Sequence, residues 1–291
     1  MSYKNKLTIV ISAFGVKHNI FINAIKNSIN KIYPSAEVLL IGKKDVPINM
    51  RKINMLRSDC QFVNESPGSL KIICWNKGIK LAKTEYVIFM DLDTVLLQNI
   101  DQYLNKLEGN NGADIIFTWR NIKPEWVNTG VLLVKKSQKT LTLFDRYERR
   151  MLQDIKCNYN DQHTFINFLN RGDKFVDSLL SKTREHEVKI SSNGINFIGV
   201  HVDLLNRSAA FEDWLDCTCI QHYKGVMGTV ILKDDKDDRY KRFIEIDIHC
   251  LTNDQASNLS NRIELFKGFL NKNDSKNIID IIDNYKPKLS L

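Results

Sequence analysis

The sequence predicts an α/β fold, because short apolar runs alternate with amphipathic helical patterns. Runs rich in Val and Ile at residues 7–13, 38–41 and 86–90 are typical of strands buried on both faces of a parallel sheet. Helical periodicity fills the intervals at residues 20–32 and 69–83. This order of strand, helix, strand, helix and strand predicts a Rossmann-like, mostly parallel central sheet that is flanked by helices.

The following residues continue the same alternation. Residues 115–119 and 130–134 have the composition of strands, and residues 141–152 and 162–169 have helical patterns. One more short strand is expected near Ile220. We expect all of these elements to belong to one main domain.

The C-terminal residues differ in character from the main domain, to which we assign residues 1–228. Residues 229–291 begin as a charged loop and continue as two short amphipathic helices. One of these helices carries four apolar residues on one face, namely Leu259, Ile263, Phe266 and Leu270. We expect a small helical extension that packs against the main domain. The alternatives are a role in acceptor binding and a membrane-surface role, and the second is disfavoured because Lys and Arg do not dominate the polar faces.

Composition indicates a globular protein with a sizeable core, since 43% of the 291 residues are hydrophobic. The six cysteines lack the spacing of a disulfide scaffold or a four-ligand zinc site, so we expect reduced thiols. No apolar stretch approaches the roughly 20 residues that cross a bilayer. The apolar run that follows Lys4 and Lys6 lacks a signal-peptide cleavage site. We therefore expect a cytoplasmic protein without a transmembrane segment.

The formal net charge of +8 is compatible with a partner that carries phosphates. Lysines are nevertheless spread along the whole chain, and acidic residues mix with them even in the densest stretch, residues 233–242. A basic stripe interleaved with aromatic residues is typical of nucleic-acid binding, and the sequence has none. We expect no nucleic-acid partner, and the sequence does not indicate the oligomeric state.

The main chemical signal is a pair of carboxylates at the end of a predicted strand. In the segment Tyr86-Val-Ile-Phe-Met-Asp-Leu-Asp-Thr94, strand alternation points Asp91 and Asp93 to the same side. Ligands of open α/β sheets bind outside the carboxyl ends of the strands, where this pair lies. Two hard oxygen ligands suit Mg²⁺ or Mn²⁺ shared with substrate phosphates. The spacing alone leaves open that the aspartates only cap a turn.

Lys71 gives an independent indication of an anion at this end of the sheet. Helical periodicity places it with Trp75, Gly78 and Ala82, on the less polar side of the helix. A lysine there needs an anionic partner, and a helix N-terminus favours phosphate. The alternative is a lysine that extends from the helix end toward solvent.

Six short motifs occur in an order that resembles a known enzyme family. They are Lys71-Ile-Ile-Cys-Trp75, Phe89-Met-Asp-Leu-Asp-Thr94, Asn99-Ile-Asp101, Asn128-Thr-Gly130, Asp161-Gln162 and His222-Tyr-Lys-Gly225. Over about residues 7–225 the chain resembles the glycogenin-like retaining glycosyltransferases, which have the GT-A fold and include bacterial galactosyltransferases. The resemblance implies metal-dependent transfer of a hexose-type sugar from a nucleotide sugar, with UDP as the nucleotide, to an acceptor.

The resemblance also implies how the metal and the nucleotide would be held. His222 would join Asp91 and Asp93 as the third protein ligand of Mn²⁺, although an isolated histidine is more often structural. The nucleotide sugar would contact three further residues, namely Ala13 and Phe14 at the base and Lys71 at the phosphate or the sugar.

Three residues would surround the transferred sugar. The resemblance implies that Asn128 and Asp161 hydrogen-bond it and that Gln162 lies near the anomeric carbon, so Asp161 and Gln162 are the candidate catalytic residues. Asn128 could equally be a turn residue before Gly130. Asp161 could equally be a helix N-cap.

The last of the six motifs, His222-Tyr-Lys-Gly225, is followed by a departure from the family pattern. The family usually has a lysine three residues after its glycine, whereas here Gly228 follows Gly225 at that distance. Lys224 could supply the missing cation to the donor phosphates beside Gly225, or the C-terminal segment could close the site differently.

Two other functions are compatible with parts of the sequence. A nucleotidyltransferase that activates a sugar phosphate could use the same aspartates, but the glycine-rich basic loop expected after its first strand is missing. A non-enzymatic basic binding module would need neither Asp91 nor Asp93. The acceptor, whether a glycan, a protein or a small molecule, is not indicated, since acceptor sites lie largely in variable loops.

Overall fold

The computed structural model describes residues 3, 6–13, 19–42, 55–59, 67–109, 112–120, 127–154, 161–169, 186–207, 217–223, 252–272 and 275. The strands are β1 (Leu7–Ala13), β2 (Glu37–Gly42), β3 (Met55–Asp59), β4 (Tyr86–Asp91), β5 (Thr94–Leu96), β6 (Ile115–Trp119), β7 (Val127–Lys135), β8 (Glu187–Ser192), β9 (Ile195–His201), β10 (Asn206–Arg207) and β11 (Ile220–His222). The helices are α1 (Asn19–Ile32), α2 (Pro67–Leu81), α3 (Asp101–Leu104), α4 (Gln138–Asp154), α5 (Asp161–Leu169), α6 (Val202–Leu205) and α7 (Asn253–Lys267), and a 3-10 turn (Asn105–Leu107) follows α3.

Eight strands form a central sheet in the order β3-β2-β1-β4-β7-β6-β9-β8. The pairs β1·β2, β1·β4, β2·β3 and β6·β9 are parallel, and the pairs β4·β7, β6·β7 and β8·β9 are antiparallel. The predicted α/β fold is confirmed, and the described strands at residues 7–13 and 115–119 have the predicted bounds. The predicted strands at 38–41, 86–90 and 130–134 each extend by one to three residues at one or both ends.

The antiparallel strands have local causes in the chain. Residues 120–126 join β6 to β7, and this connection is too short for the crossover that a parallel pair needs, so β7 returns antiparallel. β8 and β9 are joined by Asn193-Gly194, and both residues have positive φ, 53° and 75°. These are the dihedrals of the two-residue turns that close tight hairpins. The sequence prediction missed this hairpin although Asn-Gly is its usual signal.

A second, small sheet has the strand order β10-β11-β5. β11 is antiparallel to β5, and His222 is the residue opposite Thr94. β5 follows β4 after a two-residue turn, whereas β11 lies more than a hundred residues later in the chain. The small sheet therefore brings a late segment of the chain to the carboxyl end of β4.

The C-terminal helix α7 belongs to the same hydrophobic core as α1. Leu259, Ile263 and Phe266 are buried in the cluster that covers one face of the central sheet. The rings of Phe21 in α1 and Phe266 are 5.4 Å apart in an edge-to-face contact. The predicted packing of this helix is confirmed, while the second predicted C-terminal helix lies outside the described residues.

Two further expectations, on the cysteines and on transmembrane helices, can be compared only with the described residues. Cys74, Cys217 and Cys219 are free thiols, as predicted, and the other three cysteines lie outside the described part of the chain. Among the helices that the structure describes, none has the length and apolar character to cross a membrane.

Candidate functional site

The predicted site residues gather at one edge of the central sheet. β1 and β4 are parallel neighbours, and Ser12 pairs with Asp91 near their carboxyl ends, so Ala13 lies beside the strand that carries Asp91. β7 runs in the opposite direction, which places its first residues, including Asn128, at the same edge. This is the edge where open α/β sheets bind ligands.

The two aspartates are presented by a turn. Asp91 is the last residue of β4, and Leu92 and Asp93 form the turn that leads into β5. The hydroxyl of Thr94 donates a hydrogen bond to the carbonyl oxygen of Asp91 at 2.6 Å and closes this turn. The two carboxylates lie on the same side, as expected, but the turn and not strand alternation places them there, because the strand ends at Asp91.

His222 brings its imidazole to both carboxylates. Its Nε2 lies 3.0 Å from Oδ1 of Asp93 and 3.7 Å from Oδ2 of Asp91. The three side chains offer ligand atoms that all lie within 4.8 Å of one another. His222 is 2% exposed, whereas the carboxylate side chains of Asp91 and Asp93 are 22% and 32% exposed. The carboxylates are thus accessible from solvent, while the ring is fixed in the protein.

Gly130 makes room for this ring. A Cβ atom at position 130 would lie 2.5 Å from Cε1 and 2.6 Å from Nδ1 of His222, which is closer than real side chains approach. Nδ1 is buried and makes no hydrogen bond to the described residues. Two carboxylates and one imidazole nitrogen at these separations fit a divalent cation that keeps open positions for substrate oxygens.

Lys71 contributes a buried positive charge beside the aspartates. Its Nζ lies 2.7 Å from Oδ1 and 3.0 Å from Oδ2 of Asp91, and 3.3 Å from the hydroxyl of Thr129. It also lies 5.1 Å from the ring centroid of Trp75. The anion that the sequence required for this lysine is therefore Asp91, and the alternative of a lysine extended into solvent is wrong.

The charge on Asp93 is favoured by its neighbours. Burial by itself would raise the pKa of this carboxyl, but its interaction with His222 outweighs burial and holds the pKa below its ordinary value. A deprotonated carboxylate is the form that binds a cation.

Asn128 is completely buried at the start of β7. Its Oδ1 accepts a hydrogen bond from the backbone N–H of Gly130 at 2.8 Å and a longer one, 3.5 Å, from Nδ2 of Asn206. Asn128 therefore lies in a strand and not in a turn, and both N–H groups of its buried Nδ2 have no partner among the described residues.

Gln162 is buried in the first turn of α5, and Nη2 of Arg120 donates a hydrogen bond to its Oε1 at 3.2 Å. Asp161 is the first residue of the same helix, but its side chain is outside the described part of the structure. The remaining predicted residues, Phe14, Lys224 and Gly225, also lie outside the described residues.

Sequence reasoning missed four residues that contact this site. Thr94 was part of a recognised motif but was given no role, and only its position after the end of β6 could have marked Arg120. Asn206 reaches Asn128 from β10, a strand that was not predicted. Tyr223 was part of a recognised motif, but its contacts depend on the C-terminal helix.

Comparison with known proteins identifies the family. The model of the family described as nucleotide-diphospho-sugar transferase matches residues 79–232, more than half of the chain. The chain belongs to this family. The matched residues of this nucleotide-diphospho-sugar transferase include Asp91, Asp93 and His222, and the chain is accordingly a glycosyltransferase.

Solved structures show the same fold. The glycosyltransferase GlyE of Streptococcus pneumoniae, in its apo form, is 12% identical with a TM-score of 0.51, over 76% of this chain and 55% of GlyE. A glycosyltransferase involved in the glycosylation of the major capsid of PBCV-1 is 12% identical with a TM-score of 0.50, over 76% of this chain and 95% of that chain. The galactosyltransferase LgtC, solved with donor and acceptor sugar analogs, is 13% identical with a TM-score of 0.49, over 75% of this chain and 87% of LgtC. No curated protein matches this nucleotide-diphospho-sugar transferase by sequence. At these identities the first two likenesses support the GT-A fold and no more.

Proposed function

We propose that this glycosyltransferase moves a hexose-type sugar from a UDP-sugar to an acceptor hydroxyl, with retention of the anomeric configuration. The observation that carries the proposal is the convergence of Asp91, Asp93 and His222 within 4.8 Å at the carboxyl edge of the sheet. Mn²⁺ is the cation we assign to these ligands, with Mg²⁺ as the alternative. The cation, when bound, would offset the negative charge that develops on the departing diphosphate.

The residues around the cation site would bind and orient the donor. Lys71 would direct its ammonium group, which lies 2.7 Å from Asp91, toward the donor phosphate or sugar. Ala13 and Phe14 would contact the base, and Lys224 and Gly225 would lie along the diphosphate. These assignments follow from the family resemblance of the motifs, and Ala13 and Lys71 lie at the edge of the sheet that carries Asp91.

The sugar would lie between β7 and α5. Asn128 would use its unpaired Nδ2 to donate a hydrogen bond to a sugar hydroxyl. Asp161 would bind the sugar as well, and Gln162 would lie near the anomeric carbon while Arg120 holds its amide. As the bond from the anomeric carbon to the diphosphate oxygen breaks, the acceptor oxygen would form the new bond from the same face, and the proton of the acceptor hydroxyl would pass to the departing diphosphate.

Residues 1–228 would contain the donor site, and residues 229–291 would form an extension related to the acceptor. The acceptor is a hydroxyl of a glycan, a protein or a small molecule. The cytoplasmic location stays a prediction.

No contact among the described residues supports the alternative of a nucleotidyltransferase or that of a non-enzymatic binding module. The family to which the chain belongs is one of sugar transferases.

The proposed function is tested by incubating the purified chain with Mn²⁺ and a panel of nucleotide sugars, with and without acceptors. We expect release of UDP from one UDP-sugar, and transfer when a suitable acceptor is present. Replacement Asp93→Asn should abolish this turnover, while the control Asp145→Asn, on the exposed surface of α4, should retain it. Turnover of no donor at all, or full metal-dependent turnover by Asp93→Asn, would contradict the proposal.

A further inference from the structure

Tyr223 contacts both the Asp91-Asp93 turn and the C-terminal helix. Its backbone N–H donates a hydrogen bond to the carbonyl oxygen of Asp93 at 2.7 Å, and the preceding residue is His222. Its hydroxyl donates a hydrogen bond to the carbonyl oxygen of Arg262 in α7 at 2.9 Å. One residue therefore connects two of the three candidate metal ligands to α7.

The contact of Tyr223 with α7 is buried and closely packed. The side chain is 0% exposed, and its ring lies 4.8 Å from the ring of Phe266 in an edge-to-face arrangement. The hydroxyl of a buried tyrosine that loses its acceptor would be left without a partner, at a free-energy cost.

The helix that receives Tyr223 is itself fixed on the main domain. Phe266 packs against Phe21 of α1, and the carbonyl oxygen of Phe269 accepts a hydrogen bond from Nδ2 of Asn27 at 2.7 Å. The N-terminus of α7 is closed by a capping box between Thr252 and Gln255. A capped helix that packs on α1 can hold the segment that carries His222 in one position.

We propose that Tyr223 is a positioning residue that makes the C-terminal helix part of the metal site. This inference rests on the proposed function, because it assumes that Asp91, Asp93 and His222 bind a divalent cation. The hydroxyl and the ring of Tyr223 hold β11 against the Asp91-Asp93 turn, and the imidazole of His222 keeps its distance of 3.0 Å from Asp93 as a consequence. The helix thereby supports a site whose usual closing lysine is missing from this sequence.

The experiment is a calorimetric titration of the full-length protein with Mn²⁺, alone and with UDP. Tyr223→Phe removes one hydroxyl and keeps the ring. We expect its Mn²⁺ affinity to fall about fivefold, which corresponds to the net value of one typical hydrogen bond. The matched control is Tyr3→Phe, which also removes a buried hydroxyl that donates one hydrogen bond, here to Asn105 at 2.6 Å, and should leave Mn²⁺ affinity unchanged.

Hydrogen–deuterium exchange of the metal-free protein gives a second readout that does not depend on metal binding. In Tyr223→Phe, exchange should rise in residues 91–96 and 218–223, and in Tyr3→Phe it should not. Phe266→Leu tests the same coupling from the helix side, and we expect the same direction for affinity and exchange.

The outcomes separate this inference from the proposed function. If the wild-type protein binds Mn²⁺ and Tyr223→Phe binds it equally well, the coupling is overturned and the metal site stands. If the wild-type protein binds no Mn²⁺, the metal assignment in the proposed function fails, and unchanged exchange in Tyr223→Phe would overturn the coupling as well. An equal effect in Tyr3→Phe would show general destabilisation and would also overturn it.

Discussion

The position of the His222 ring depends on the absence of a side chain at Gly130. The imidazole occupies the space in which a Cβ of residue 130 would lie, and its Nε2 is thereby directed to the carboxylates of Asp91 and Asp93. The glycine of the Asn-Thr-Gly motif thus has a packing role, which is distinct from any contact of Asn128 with a sugar. This explains why the motif needs a glycine two residues after the asparagine.

Gly130→Ala should weaken Mn²⁺ binding by about tenfold or more, because the new methyl group would displace the imidazole, as in other substitutions behind a metal ligand. Calorimetric titration with Mn²⁺ measures the effect. Gly268→Ala is the matched control, since its Cβ would come no closer than 3.2 Å to Leu265 and φ is an ordinary −58°. A Gly130→Ala protein that binds Mn²⁺ as tightly as the control would show that His222 is not a ligand.

For individual residues, the sequence predicted which side chains have a chemical role but not which of them are in contact. The need of Lys71 for an anion follows from its position on an apolar helix side. That the anion is Asp91 depends on how α2 packs beside β4, and helical periodicity contains no information on this distance. Arg120 was missed for the same reason, since its contact with Gln162 joins two elements that are distant in the sequence.

Among the elements, β11 shows how a strand of three residues can place a functional side chain. Its backbone bonds to β5 fix His222 opposite Thr94, and β10 pairs with it on the other side. The segment that leads into β11 becomes buried along its length. Cys217 is exposed, whereas Cys219 is 1% exposed. The carbonyl oxygen of Cys219 accepts the backbone N–H of Leu97 at 2.8 Å, which extends the contact with β5.

The two thiols of this segment should therefore differ in reactivity. Burial raises the pKa of the Cys219 thiol to about 11, so that little thiolate exists at pH 8. Brief treatment with iodoacetamide at pH 8, followed by fragmentation of the tryptic peptide, should locate the label on Cys217. In the control Cys217→Ser the peptide should stay unlabelled. Rapid labelling of Cys219 in the native protein would show that this segment opens, contrary to the packing of β11.

Among the secondary elements, the hairpin β8–β9 could have been predicted from the sequence, whereas β3, β5 and β10 could not. Asn193-Gly194 is a local signal that needs no tertiary information. β5 and β10 have three and two residues, which is too short for a hydrophobic period to be recognised. Their strand character comes from pairing with β11, a partner that is distant in the sequence.

At the scale of the whole molecule, the C-terminal helix and the main domain share one core. Phe266 contacts Phe21 of α1 and Tyr223 beside the site, so that α7 is integral to the described fold. The sequence predicted an apolar face for this helix, and that face is buried. The partner of the face could not be predicted, because amphipathicity shows that a face will be covered but not by which residues.

Phe266→Ala should destabilise the protein by about 3–5 kcal/mol, the usual cost of removing a buried phenylalanine. Because α7 and α1 share a core, calorimetric unfolding should show one transition at a lower temperature. Leu81→Ala, at a position 45% exposed on α2, is the control and should cost less than about 1 kcal/mol. A separate early transition in the wild-type protein, with a main transition that Phe266→Ala leaves unchanged, would show that α7 folds independently.

Neighbouring residues are sufficient to predict the α/β fold, the buried strands, the apolar face of α7 and the pair Asp91 and Asp93, because periodicity and residue chemistry are properties of short segments. The folded protein is needed to see that Lys71 pairs with Asp91, that Gly130 makes room for His222 and that Tyr223 joins the site to α7. Each of these contacts links segments that are far apart in the chain, and their distances are set by the packing of the whole molecule. The Asp91-Asp93 pair becomes a candidate metal site only when β11 pairs with β5 and brings His222 to it.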